Sequence, residues 1–167
     1  MKTIFAPWRM NYVSNGNPPG CIFCDLPGRG VGQETLIVHL GRTAFVMLNR
    51  FPYTSGHLMV IPFRHVATPV ELQPDEWAEI GALLKRSMEA LKAVYDPNGF
   101  NVGMNVGRAA GAGIDEHCHV HVVPRWVGDN NYVPVLAETR VIPEALEVTH
   151  RRLVEAFEKQ DSTEVRG

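Results

Sequence analysis

Residues 116–126 read EHCHVHVVPRW, and His117, His119 and His121 occupy alternate positions. The chain has 7 histidines in 167 residues, so this stretch concentrates imidazole in one place. A period of two is strand geometry, in which side chains at i, i+2 and i+4 share one face. The three histidines then point one way, while Cys118, Val120 and Val122 point the other way into a core. The fold must therefore contain a sheet with one apolar face and one face carrying imidazoles about 6.6–6.8 Å apart along the strand. Two imidazoles at that spacing bracket one small group. The residues alone leave three readings open. The histidines can be incidental polar groups on an outer face. Two of them can form a His-x-His metal pair with a distant third ligand, as in zinc hydrolases. One of them can attack phosphorus covalently while its neighbours orient it and bind phosphate oxygens.

The flanking segments supply the rest of a small α+β domain spanning 1–167. Residues 14–33 are dense in Gly and Pro and read as irregular structure. TLIVHL (35–40), TAFVML (43–48) and HLMVIP (57–62) read as strands, with a tight hairpin at 40–42. FNVGMNV (100–106) and HCHVHVV (117–123) add two more, separated by the glycine loop AAGAG (109–113). Loop 49–56 is long for a plain hairpin, and such loops often carry function. Trp77, Ile80, Leu84, Met88, Leu91 and Tyr95 recur at helical spacing. Pro74, Asp75 and Glu76 suit the start of that helix, and Pro97 and Gly99 stop it. A second principal helix is expected from about 143 to 160, with Leu146, Leu153 and Phe157 on its buried side. Short links between strands imply antiparallel pairing. Strands segregated from helices indicate α+β, with a mainly antiparallel sheet of about five strands and two principal helices.

Composition excludes several classes. The net charge is −2, so no broad cationic surface for nucleic acid is implied. No apolar run approaches a membrane span. MKTIFAPWRMNYV loses its apolar character at Pro7, Trp8 and Arg9, so no secretory h-region is read there. Three cysteines is an odd, low count, which points to reduced thiols and a cytoplasmic location.

HCHVHVV resembles the His-φ-His-φ-His-φ-φ signature (φ apolar) of the histidine-triad, or HIT, nucleotide hydrolases and transferases. The resemblance extends to LNRFPYTSGHLMVIPFRHV (48–66) and to CIFC (21–24), which is similar to the N-terminal motif of many bacterial members. APWR, AAGAG and PRWVGDNNYVPV look like the subgroup associated with diadenosine-tetraphosphate phosphorylases.

The resemblance implies an HIT-like fold and a homodimer in which two sheets join edge to edge, the carboxy-terminal segments approaching the partner's site. It implies His119 as the nucleophile that attacks the α-phosphorus, and His121 as the group at the phosphate oxygens or leaving group. A neutral imidazole is a competent nucleophile near pH 7. His57 would support the triad's hydrogen bonds; a satisfied core histidine is the plain alternative. Asn49 would bind the ribose hydroxyls, since an amide both donates and accepts. Asn105, Gly111 and Gly113 would flank the phosphates, where glycine lets backbone N–H groups approach an anion. Arg108 is a candidate for the distal phosphates. Trp126 is a candidate for stacking on adenine, with packing as its alternative. Cys21, Cys24, His65 and His117 would form a closed Cys2His2 structural zinc site; two buried cysteines beside no metal is the alternative. Cys118 reads as core.

One departure matters. Where the family pattern has Ala-Gly-Gln-Ser/Thr, this chain has GAGI, so Gly113 and Ile114 stand in place of two polar side chains. That favours an acceptor other than water. The expected reaction is phosphorolysis of diadenosine tetraphosphate to ATP and ADP, with inorganic phosphate as co-substrate. Hydrolysis of dinucleoside polyphosphates or nucleoside phosphoramidates is the alternative within enzymes. A nucleotide-binding regulatory module is the alternative outside them.

Overall fold

A five-stranded antiparallel sheet carries the histidines, and two long helices cover one of its faces. The computed structural model describes residues 20–129 and 144–164. The elements in chain order are α1 (Ile22–Asp25), β1 (Ile37–Leu40), β2 (Ala44–Leu48), β3 (Leu58–Pro62), α2 (Pro74–Tyr95), β4 (Gly99–Gly103), β5 (Val120–Arg125) and α3 (Leu146–Glu164). The sheet order is β1-β2-β3-β5-β4, and every pairing is antiparallel. The α+β class read from the sequence, with a five-stranded antiparallel sheet and two principal helices, is the fold observed. Among the described residues no helix is long and apolar enough to cross a membrane.

β2 and β3 are apolar runs buried along their whole length. Such runs mark central strands with both faces covered. β3 pairs with β5 so that Met59 faces His121, and β4 closes the far edge with Gly103 also opposite His121. β4 is the exposed edge, with Asn101, Val102 and Gly103 all open to solvent. Cys118, Val120 and Val122 share one apolar cluster with Ile80, Leu83, Leu91, Leu153 and Phe157, as the alternation required. Truncating a buried leucine such as Leu91 to Ala costs about 2–5 kcal/mol.

The boundaries differ from the sequence expectation where contacts between distant segments decide them. β5 begins at Val120, so His117 and His119 precede the ladder proper. The Cys118 N–H instead donates to the Val66 carbonyl at 2.7 Å, which draws this segment against the chain leaving β3. β4 ends at Gly103, short of 106, because the chain turns into the glycine loop. The segment read as irregular over 14–33 contains α1 and a 3-10 turn at Pro27–Arg29 within its described part. The C-terminal helix runs through Glu164; Pro143 lies outside the described residues.

Helix α2 spans the expected residues, but its buried face is rotated from the stripe read in the sequence. Ile80, Leu83, Ser87, Ala90 and Leu91 are buried, while Trp77 is 43% exposed and donates its indole N–H to the Pro69 carbonyl. The charged residues of α2 also make specific contacts. Buried Glu76 caps the helix by accepting from the Gln73 N–H and also accepts two N–H groups of Arg64. That guanidinium holds the Glu76 carboxyl below the usual carboxylate range. The Glu79 carboxylate accepts from the Arg42 and Thr43 backbone N–H groups and ties the β1–β2 turn to α2.

Candidate active site

The end of loop 49–56 delivers His57 into the core beside β5. Gly56 adopts φ +78°, the left-handed region where only glycine is unstrained. A Cβ there would lie 2.7 Å from Leu91 Cδ2, so the loop closes tightly onto α2. His57 is fully buried. Its Nδ1 accepts the Tyr53 backbone N–H at 3.2 Å, and the Asn49 amide nitrogen approaches the same atom at 3.5 Å. An N–H donor on Nδ1 forces the ring proton of a neutral His57 onto Nε2. That Nε2 lies 3.0 Å from His121 Nδ1, so His57 donates and His121 accepts. The remaining proton of neutral His121 then sits on its Nε2. Burial, followed by the nearby His119, pushes His121 down to about 4, so it is neutral near pH 7.

His119 is fixed in the opposite tautomer. Its Nδ1 lies 2.9 Å from the His117 carbonyl oxygen, which can only accept. Nδ1 therefore carries the proton, and Nε2 keeps its lone pair. Burial also holds the His119 imidazole below the usual histidine range. The His119 and His121 rings meet edge to face at 4.9 Å. The site thus pairs a ring whose Nε2 is a lone-pair donor with a ring whose Nε2 is an N–H donor. This is the equipment for attack on an electrophile with stabilisation of a departing or equatorial oxygen.

His117 turns to a different cluster. Its Nε2 donates to the Pro62 carbonyl at 2.8 Å, which leaves Nδ1 unprotonated. Cys21 Sγ stands 3.2 Å from that Nδ1 and Cys24 Sγ 3.6 Å from it, and Cys24 Sγ is 3.4 Å from His65 Nδ1. All four donor atoms lie within 4.8 Å of one another. A tetrahedral zinc ion requires ligand separations of about 3.3–3.8 Å from its bond lengths to sulfur and nitrogen. The separations of 3.2, 3.4 and 3.6 Å lie at or near that range, so the Cys2His2 donor set suits such an ion, and the Pro62 carbonyl supplies the outer hydrogen bond that metal-bound histidines usually make. Loss of solvation and the neighbouring Cys21 raise the Cys24 thiol to about 11; a bound cation reverses that preference by stabilising the thiolate.

The other residues singled out by sequence are spread more widely. Asn49 lies beside His57, its side-chain oxygen accepting the Phe51 N–H at 2.9 Å. Asn105 is half-buried and Gly113 exposed on the segment joining β4 to His117, and Gly111 turns there at φ +86°. Arg108 is exposed and paired with Asp115 at 2.6 Å. Arg108 and Gly113 line a cavity of about 160 Å³ together with Cys21 and His65, on the metal-cluster side. Trp126 follows the far end of β5, half-buried, with its backbone N–H on Asp129. Seven extended residues place it about 20 Å from His119. The APWR segment, which includes Trp8 and Arg9, lies outside the described residues.

Two contributors escaped the sequence reading. Tyr53 sets the His57 tautomer through its backbone and packs its ring on His57 at 4.5 Å. Phe23 contacts the rings of both His117 and His119. Its position inside CIFC was the available signal, since a residue between two ligands must follow them to the site.

The comparisons agree with this geometry. A family model described as the HIT domain matches residues 31–127. AP-4-A phosphorylase of Mycobacterium tuberculosis is 37% identical over 96% of this chain and 86% of its own length. A solved Zn-bound histidine triad family protein from Mycobacterium smegmatis superposes with a TM-score of 0.68 at 29% identity, covering 86% of this chain and 97% of that one. A hypothetical histidine triad nucleotide-binding protein from Sulfolobus tokodaii gives 0.67 at 27% identity, over 83% and 93%. The motif, the fold and these likenesses converge: the chain belongs to the HIT family.

Proposed function

We propose that the chain is a nucleotidyltransferase acting on dinucleoside polyphosphates through a nucleotidyl intermediate on His119, and that its reaction is phosphorolysis of diadenosine tetraphosphate to ATP and ADP. One observation carries this reading: the His117 carbonyl holds the His119 proton on Nδ1 and leaves Nε2 as a neutral nucleophile.

His119 Nε2 attacks an α-phosphorus. The N–P bond forms, the bond from that phosphorus to its bridging oxygen breaks, and ATP leaves. The His121 Nε2–H, set by the relay from Tyr53 through His57, donates to the oxygen that gains charge. Inorganic phosphate then attacks the same phosphorus, the N–P bond breaks, and ADP departs with His119 restored. Asn49 binds ribose hydroxyls. Asn105 and the glycines at 111 and 113 border the phosphate chain, with Arg108 toward its distal end. The absence of polar side chains at Gly113 and Ile114 removes anchors for a small water molecule and leaves room for a tetrahedral anion. The named activity of the Mycobacterium tuberculosis relative supports the same choice.

Cys21, Cys24, His65 and His117 would hold a structural zinc ion; the Zn-bound Mycobacterium smegmatis relative supports that metal. An ion held there would join three chain segments, while the transfer itself is assigned to His119 and His121. A homodimer forms through the β4 edge, which among the described residues pairs with β5 on one side only and leaves the other side for sheet extension.

The test is product analysis. The purified protein is incubated with diadenosine tetraphosphate with and without inorganic phosphate, and nucleotides are separated by chromatography. ADP together with ATP, formed only when phosphate is present, is expected. ATP plus AMP in phosphate-free buffer replaces the phosphorylase with a hydrolase. Tight nucleotide binding with no turnover of any substrate replaces both with a binding module.

A further inference from the structure

We propose that Phe23 is a positioning residue for the nucleophile, and that through it the Cys21–Cys24 metal site governs how firmly the His119 ring is held. The inference rests on the role of His119 proposed above.

Phe23 sits in the four-residue helix α1, where it is the one buried residue, 2% exposed. A helix this short does not stand alone in water, because nucleation costs more than a single turn returns. No side-chain cap holds its N-terminus. Two cysteines bracket the phenyl ring in sequence, and both sulfurs approach His117 Nδ1. A metal ion bound there fixes the chain on each side of Phe23 and so fixes the ring.

The ring makes two edge contacts. It meets His117 at 5.5 Å with planes at 88°, and His119 at 5.2 Å with planes at 62°. Edge geometry is the favourable arrangement for aromatic pairs. His119 needs this support. The hydrogen bond to the His117 carbonyl selects the protonated nitrogen, but rotation of an imidazole about its last torsion is broad. Phe23 and His121, each packed on the ring, oppose that rotation. Phenylalanine has no proton to give and no lone pair, so its contribution is to hold Nε2 on line.

The test uses full-length Phe23→Ala and Phe23→Leu proteins with zinc content measured. In the resting protein, ¹⁵N-histidine NMR reads the His119 tautomer directly, whatever the reaction. Wild type is expected to show a fixed Nδ1–H form, and Phe23→Ala an averaged one with zinc retained. With diadenosine tetraphosphate and phosphate, kcat should fall by up to about 100-fold while KM stays within about 2-fold. Leucine restores part of both readouts. Chelated wild type should show the same averaging. If Phe23→Ala unfolds or loses zinc, the zinc-loaded Phe23→Leu protein decides: partial averaging with reduced kcat supports the proposal. A fixed tautomer or a wild-type kcat in a zinc-loaded variant overturns it, as does an unchanged His119 spectrum after verified zinc removal. Because the tautomer is read without substrate, it separates failure of this proposal from failure of the proposed reaction.

Discussion

His57 Nε2 lies 3.0 Å from His121 Nδ1, and the Tyr53 N–H on the other side of His57 fixes which of the two donates. This relay places the remaining proton of neutral His121 on Nε2, where the proposed mechanism uses it as a donor. His57→Phe keeps a ring but removes the donor, freeing His121 to take either tautomer. Steady-state kinetics should show kcat reduced by about 100-fold, the typical effect of a misplaced catalytic group. An unchanged kcat would show that His57 is a core residue only.

Gly56 links loop packing to the same relay. Alanine at φ +78°, with its Cβ 2.7 Å from Leu91, adds left-handed strain to an overpacked contact. Gly56→Ala should lower stability by about 2–4 kcal/mol in denaturant unfolding. Activity should fall further than at Gly99, where an added Cβ meets no atom within 4 Å and Gly99→Ala serves as the control.

The pH dependence follows from the buried rings. Burial lowers both His119 and His121, the latter to about 4. A histidine with a folded pKa below its unfolded value binds fewer protons folded than unfolded in the interval between them. Stability is therefore full above about 6.5 and is lost as pH falls through that value toward the folded pKa. Burial also favours the neutral form of His119, the proposed nucleophile, below the ordinary histidine range. The acid limb of kcat/KM should have its midpoint below the ordinary histidine value, and a midpoint at or above 6.5 contradicts the burial of His119.

Metal removal tests the cysteine cluster. A closed site cross-links α1, the chain after β3 and the chain before β5. Losing a comparable cross-link costs about 2–5 kcal/mol, and a chain of this size shifts its melting point by about 2–4 °C per kcal/mol. Cys24→Ser, or chelation of the wild type, should lower Tm by about 5–15 °C. Zinc-free purified protein with an unchanged Tm after chelation removes the metal assignment.

How much of this could be read from residues varies with the range of the contacts. Helix α2 was legible to its ends because Pro74 and the Pro97–Gly99 stop are local signals. Its buried face was not, because Arg64 draws Glu76 inward and Trp77 stays at the rim. The period of two in HCHVH gave the opposed faces of Cys118 and His119, but not the start of β5, which depends on the Val66 carbonyl about fifty residues away. The family resemblance brought the four candidate metal ligands forward together. The tautomers of His57, His119 and His121 were beyond it, since they are set by backbone groups of Tyr53 and His117 that no side-chain pattern encodes.

Covalent attack by His119 leaves an adduct on that side chain, and the adduct can be trapped. Protein mixed with diadenosine tetraphosphate labelled in its adenylyl groups, without phosphate, is quenched in alkali, where a phosphorus–nitrogen bond to histidine survives, and the labelled peptide is mapped by mass spectrometry. The expected product is an adenylyl group on His119 that is lost in His119→Ala and discharged as ADP when phosphate is added before the quench. Label on another residue, or turnover by His119→Ala near the wild-type rate, would contradict it.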